Sequence, residues 1–135
     1  MKNIPTKYLL VCCAILIASA SSTLMAQSKS GTWKTKSYSI AGTWKISEEN
    51  GKKYVTLDSK FKTKNAPDLK IFLSPLSIDE LRDKTATKGS LLVAPLKKNY
   101  GQQKYEIPSG TDISKYKTIL IHCEKYTVLW GGASL

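Results

Sequence analysis

Apolar and polar residues alternate through much of this chain with a period of two, the spacing at which successive side chains of an extended strand face opposite ways. Across residues 42–47, Trp44 and Ile46 alternate with Thr43 and Lys45, which predicts a half-buried strand. Glu48-Glu49-Asn50-Gly51 comes next. Asn-Gly between two such runs is a strong hairpin signal, so residues 53–57 are expected as the returning strand. Further strands are expected at 69–73, with Lys70 directed outward, at 90–96 and at 103–107. Pro95 assigns the end of the second of these to a sheet edge or a bend, because proline has no N–H to give to a ladder. Residues 118–123 and 126–130 are the most strand-like of all, dense in β-branched and aromatic side chains that suit a pleated surface.

Turn sequences separate these runs: Asn65-Ala66-Pro67-Asp68, Lys97-Lys98-Asn99-Tyr100-Gly101 and Pro108-Ser109-Gly110. The one helical signal is Ser77-Ile78-Asp79-Glu80, a capping-box spacing that predicts one or two helical turns from Ile78 to about Asp83, with loop over 84–90. Residues 27–41 are polar around Trp33 and read as a lead-in that pins one edge of the fold. Gly131-Gly132 lacks the spacing of a phosphate-cradling loop and is read as letting the last strand bend. Short strands, frequent turns and almost no helix predict an all-β fold, an antiparallel β-sandwich of about eight strands with one short helix over residues 42–135.

The first 26 residues break the pattern. Lys2 and Lys7 precede an apolar run from Tyr8 through Ala18, and small residues follow up to Ala26, the order of a cleavable secretory signal peptide. The run is too short for the roughly 20 apolar residues of a bilayer span, so no transmembrane anchor is expected in the mature chain. Cleavage is placed after Ala26, with Ala18-Ser19-Ala20 as the other candidate; a periplasmic or secreted location follows. Lipid attachment at Cys12 or Cys13 is disfavoured by Leu9, Leu10 and Val11, where a small residue should flank the cut.

Charge and the residue inventory narrow the chemistry. Removing residues 1–26 leaves 109 residues with 19 basic against 10 acidic side chains, a net +9. Such a balance favours anionic surfaces, and for an exported chain that means envelope polymers rather than nucleic acid. Lys60, Lys62 and Lys64 fall on one side of an extended segment with Phe61 on the other. They read either as a solvated row guarding an edge or as an anion-binding stripe. The mature chain keeps one His, one Cys and no Met. It therefore cannot build an internal disulfide, a four-ligand zinc site or a blue-copper site by itself. Haem held through Cys123, His122 or a tyrosine remains open. Strand alternation puts Cys123 on one face with Ile119 and Ile121, and His122 on the other with Leu120, so the two should not hold one iron from the same side. On these residues alone Cys123 is either a small core hydrophobe or a reactive thiol.

The order of features also resembles the electron-transfer DM-thirteen domain family. Leu57 and Phe61, Pro67-Asp68-Leu69 leading into Leu73-Ser74, and Leu96-Lys97 match its pattern. So do the run Gly101, Gln103, Tyr105, Ile107-Pro108 and the tail of Tyr116, Ile119, Ile121, Cys123, Tyr126, Val128, Ala133 and Leu135. The resemblance implies a β-sandwich akin to DOMON domains and a redox role centred on the cysteine that corresponds to Cys123, as a bare thiol or as ligand to a prosthetic group such as haem. His122, Tyr126 and Trp130 are secondary site candidates; the last two stand where phenylalanine is expected, adding a polar handle to the ring. The reading is therefore an exported redox module without turnover of its own, exchanging electrons with a partner protein. The alternative is a binding module for anionic glycans or envelope polymers.

Overall fold

The computed structural model describes residues 28–135, so the expected signal peptide with Cys12 and Cys13 lies outside the described residues. The described part is all-β. The strands in chain order are β1 (Lys29–Thr32), β2 (Lys34–Thr35), β3 (Ile40–Ala41), β4 (Thr43–Glu49), β5 (Lys52–Leu57), β6 (Lys62–Thr63), β7 (Leu69–Ser74), β8 (Leu91–Pro95), β9 (Gln103–Glu106), β10 (Thr118–Cys123) and β11 (Val128–Ser134). Eight of these have four residues or more. They form a four-stranded sheet ordered β1-β4-β5-β9 and a five-stranded sheet ordered β2-β11-β10-β7-β8, with β3 and β6 as a separate short pair. All strand pairs are antiparallel.

The alternating residues build the core between the sheets. Trp44 and Ile46 from β4, Val55 and Leu57 from β5 and Tyr105 from β9 meet Ile71, Leu73, Ile119, Ile121 and Cys123 from β7 and β10. The β4–β5 hairpin turns at Asn50-Gly51, both with positive φ (51° and 77°), the backbone that this dipeptide adopts at least cost. Pro95 ends β8 at the edge of the five-stranded sheet, where its missing N–H leaves no partner wanting. The lead-in segment reaches both sheets, since β1 pairs with β4 and β2 with β11.

The expected helix at 78–83 does not form. Ser77 donates both its N–H (2.9 Å) and its hydroxyl (2.8 Å) to the Glu80 carboxylate, so the local motif closes, but what it closes is a series of turns. The reason is the surface beneath. Ile78, Leu81 and Ala86 spread out over Phe72, Leu120 and Leu129 on the outer face of the five-stranded sheet, and an irregular cover reaches these better than a single helical stripe. The one helical element among the described residues is a single 3-10 turn, Ile113–Lys115, capped by Asp112. With a cover outside and the other sheet inside, every residue of β10 is buried.

β11 starts later and runs further than its sequence suggests, through Gly131-Gly132. Opposite Ile121 and His122 of β10 stand Gly131 and Leu129, so Trp130 is an extra, bulged residue. Its carbonyl accepts from the backbone N–H groups of Lys36, Ser37 and Tyr38 at 3.2 Å each. The glycine pair then serves close approach: a Cβ on Gly131 would lie 2.8 Å from the Lys34 carbonyl of β2 and 2.9 Å from Ile40 Cδ1.

Candidate functional site

Cys123 ends β10, opposite Leu69 of β7 on one side and Val128 of β11 on the other. It is 0 % exposed and lies on the inward face with Ile119 and Ile121, as the alternation predicts. The thiol donates to the carbonyl oxygen of Pro67 at 3.1 Å. Pro67 is itself exposed, in a turn whose next residue, Asp68, holds a left-handed backbone (φ 63°). That hydrogen bond links the buried sulfur directly to an exposed residue.

The secondary candidates do not converge on the sulfur. His122 faces the other way, beneath the 77–89 cover, with its ring edge-on to Phe72. Its Nε2 lies 2.9 Å from the Asp83 carbonyl, which can only accept, so Nε2 carries the proton; Nδ1 is buried without a partner. The Asp83 carboxylate in turn accepts from Leu129 N–H at 2.8 Å, so His122 and Leu129 tie the cover down. Trp130 is buried, stacks on Tyr38 at 4.0 Å between ring centroids, and donates from Nε1 to Thr63 Oγ1 at 2.8 Å. Tyr126 sits in the turn between β10 and β11 and is 62 % exposed. These residues do not fit a haem. Cys123 Sγ is committed to the Pro67 carbonyl inside close-packed hydrocarbon, and His122 and Tyr126 face other surroundings. No three His, Cys, Asp or Glu side chains among the described residues group as metal ligands.

Lys60, Lys62 and Lys64 are exposed while Phe61 and Thr63 are buried, the expected alternation, although only 62–63 pair as strand and Lys60 lies in a turn. The Asp58 carboxyl in that turn is pushed up by partial burial, yet hydrogen bonds from Thr43 and from the Lys60 N–H hold it below the usual carboxylate range. Lys62 and Lys64 line an open depression of about 460 Å³ between β3 and β6. A second, of about 370 Å³, lies beside it, lined by Asn65, Ala66, Asp68, Leu69 and the loop 95–100. Thr63 and Asn99 join the two: Thr63 N–H donates to the Asn99 carbonyl at 2.9 Å and Asn99 Nδ2 to the Thr63 carbonyl at 3.0 Å.

Lys97, Lys98 and Tyr100 in this loop read as plain turn residues in the sequence, yet all three are exposed, and Tyr100 bridges to Lys62 of β6. The signal that points to them is the Gly101-x-Gln103-x-Tyr105 spacing immediately after. Gln103 and Tyr105 alternate inward on β9, and their polar ends reach back to the loop. Tyr105 Oη accepts from Lys97 N–H at 2.7 Å, Gln103 Oε1 accepts from Lys98 N–H at 3.0 Å, and Gln103 Nε2 donates to the Tyr100 and Gly101 carbonyls. Burial raises the Tyr105 phenol, against the opposing effect of the Lys97 N–H.

A family model described as electron transfer DM13 matches residues 32–135. No curated protein and no solved structure matches the chain. The matched span takes in every element described above from the last residue of β1 onward.

Proposed function

The chain belongs to the electron transfer DM13 family, and from that premise we propose that it is an exported electron-transfer module without turnover of its own, with Cys123 as its redox side chain. The observation that carries this reading is the place of the thiol, buried but hydrogen-bonded to an exposed residue. Disulfide exchange and peroxide oxidation both need a second heavy atom to reach the sulfur, and burial stops that. Electron exchange needs closeness and an acceptor of sufficient potential, but no atom bonded to the sulfur. In this reading a one-electron acceptor takes an electron from the sulfur, the S–H bond breaks, and the proton passes to solvent at the Pro67 turn; reduction returns both. Export is part of the proposal and rests on the pattern of residues 1–26.

A titration with one-electron mediators tests it, with free thiol counted after denaturing quench. The expected result is one redox transition in the wild-type protein that disappears in a folded Cys123→Ala variant. A transition surviving in that variant would move the centre away from the sulfur, and no transition at all would remove the electron-transfer role. Added haem is expected to give no Soret band.

A further inference from the structure

We propose that the basic face formed by Lys62, Lys64, Lys97 and Lys98 around Tyr100 is the docking surface for an acidic electron-carrier protein. The proposal rests on the redox reading of Cys123 and names the route by which electrons reach it. Four observations carry it.

The first is charge. Lys34, Lys52, Lys70 and Lys104 all make ion pairs, whereas none of these four lysines does so among the described residues. Asp68, the acidic residue lining the same depression, is already engaged by Lys70 at 3.2 Å. Lys70 also pairs with Glu124, so this cluster leaves one negative charge against the four lysines, and the net positive face steers an acidic partner and raises its encounter rate. The second is an anchor: Tyr100 is 59 % exposed, lines the same depression as Lys97 and Lys98, and is the backbone bridge partner of Lys62. Exposed tyrosine amid cations suits an interface, offering ring area and a hydroxyl at little entropic cost.

The third is rigidity. Gln103 and Tyr105 hold the backbone of the loop from beneath, so the cations are presented on a fixed frame. The fourth is position. The depression that Lys97 and Lys98 line is also lined by Ala66 and Asp68, the neighbours of Pro67, and by Leu69, the cross-strand partner of Cys123. A carrier seated there lies against the turn whose Pro67 carbonyl accepts from the sulfur. An acidic polysaccharide would match the charge, but it has no electrons to exchange and gains nothing from that position.

The test compares the salt dependence of electron exchange with hexachloroiridate(IV), an anionic one-electron oxidant, and with tris(bipyridine)osmium(III), a cationic one, both strong enough to draw an electron from a thiol. For the wild-type protein the hexachloroiridate rate should fall as salt is added and the osmium rate should rise. The double variant Lys97→Glu/Lys98→Glu should slow hexachloroiridate at low salt by at least about tenfold, within the usual range of electrostatic steering. The variant Lys29→Glu/Lys45→Glu, on β1 and β4, carries the same change of net charge and should differ little from wild type. Electron delivery from reduced plant-type ferredoxin, used as an acidic carrier protein, to the protein freshly oxidised by hexachloroiridate should follow the same order. Equal rates for the two double variants, or a ferredoxin rate unmoved by the first, overturn the docking surface and leave the redox reading standing. Absence of exchange with every reagent overturns both. Lost retention on immobilised polygalacturonate with unchanged hexachloroiridate exchange would make this face a polysaccharide site instead.

Discussion

The Tyr105 hydroxyl takes part in two hydrogen bonds at once, accepting from Lys97 N–H and donating to Gln103 Oε1 at 2.5 Å. Its ring is 3 % exposed in the core, so the hydroxyl connects the sandwich interior to the basic loop. Tyr105→Phe keeps the ring and strands a partly buried N–H. We expect it to lower unfolding free energy by about 1–2 kcal/mol in urea titrations, the scale for an unsatisfied buried donor. A change under a few tenths of that would mean that water replaces the hydroxyl and that the loop is not held by it. At this scale the sequence reveals direction and hides depth. Alternation alone puts Cys123 on one face with Ile119 and Ile121 and His122 on the other with Leu120, because period two is a property of the extended backbone; which face turns inward it does not say. That the sulfur is sealed, and that Pro67 is its partner, depends on residues 56 positions apart in the chain, which no local pattern encodes.

Among elements, those with a strict hydrophobic period were legible and those without one were not. The β4–β5 hairpin, β7, β9 and β10 all lie where alternation and turn residues place them. β2, β3 and β6 have two residues each, too few to show any period, and exist because longer neighbours offer them a ladder. The Ser77–Glu80 motif failed as a helix signal because it reports a closed turn, while continuation depends on the sheet face beneath. The pair Gly131-Gly132 reads as a bend in the sequence, and the bulge at Trp130 does lie next to it, but its larger role is contact. In Gly131→Ala the new methyl meets the Lys34 carbonyl at 2.8 Å, so β2 must move away from β11. Overpacking of this kind costs about 1–3 kcal/mol. We therefore expect a lower urea midpoint together with faster amide exchange in the segment 34–38. A midpoint equal to wild type would show that β2 shifts freely and that the glycine is not needed for its pairing.

For the molecule as a whole, acid and alkali should act on stability through different groups. Lys34 beside Asp79, and the donors of Ser77 on Glu80 and of Ser114 on Asp112, hold these carboxyls below their ordinary values of 3.8 and 4.5; Asp58 is likewise lowered despite partial burial. A carboxyl with a folded pKa below its unfolded one stabilises the fold above the unfolded value, and that contribution is lost as pH falls through the folded value. On the alkaline side the signs reverse. Hydrogen bonds to Glu124 and Asp68 raise Lys70 above 10.5, and burial raises Tyr105 above 10.0. Both contribute fully below those values and less as pH climbs past them. Protonating the 10 acidic residues would also leave the 21 basic ones unopposed, and self-repulsion then steepens the acid limb. The melting temperature should accordingly be level from about pH 5 to about pH 9, drop below about pH 4 and decline more gently above about pH 10. Added salt separates the two causes of the acid limb, because screening relieves repulsion between lysines yet weakens the carboxylate contacts at the same time. If repulsion dominates, half-molar sodium chloride raises the melting temperature at pH 3; if the lost contacts dominate, it does not. A melting temperature unchanged between pH 5 and pH 2.5 would mean that these carboxylates contribute nothing to the fold, leaving the apolar core between the sheets to hold the sandwich without them.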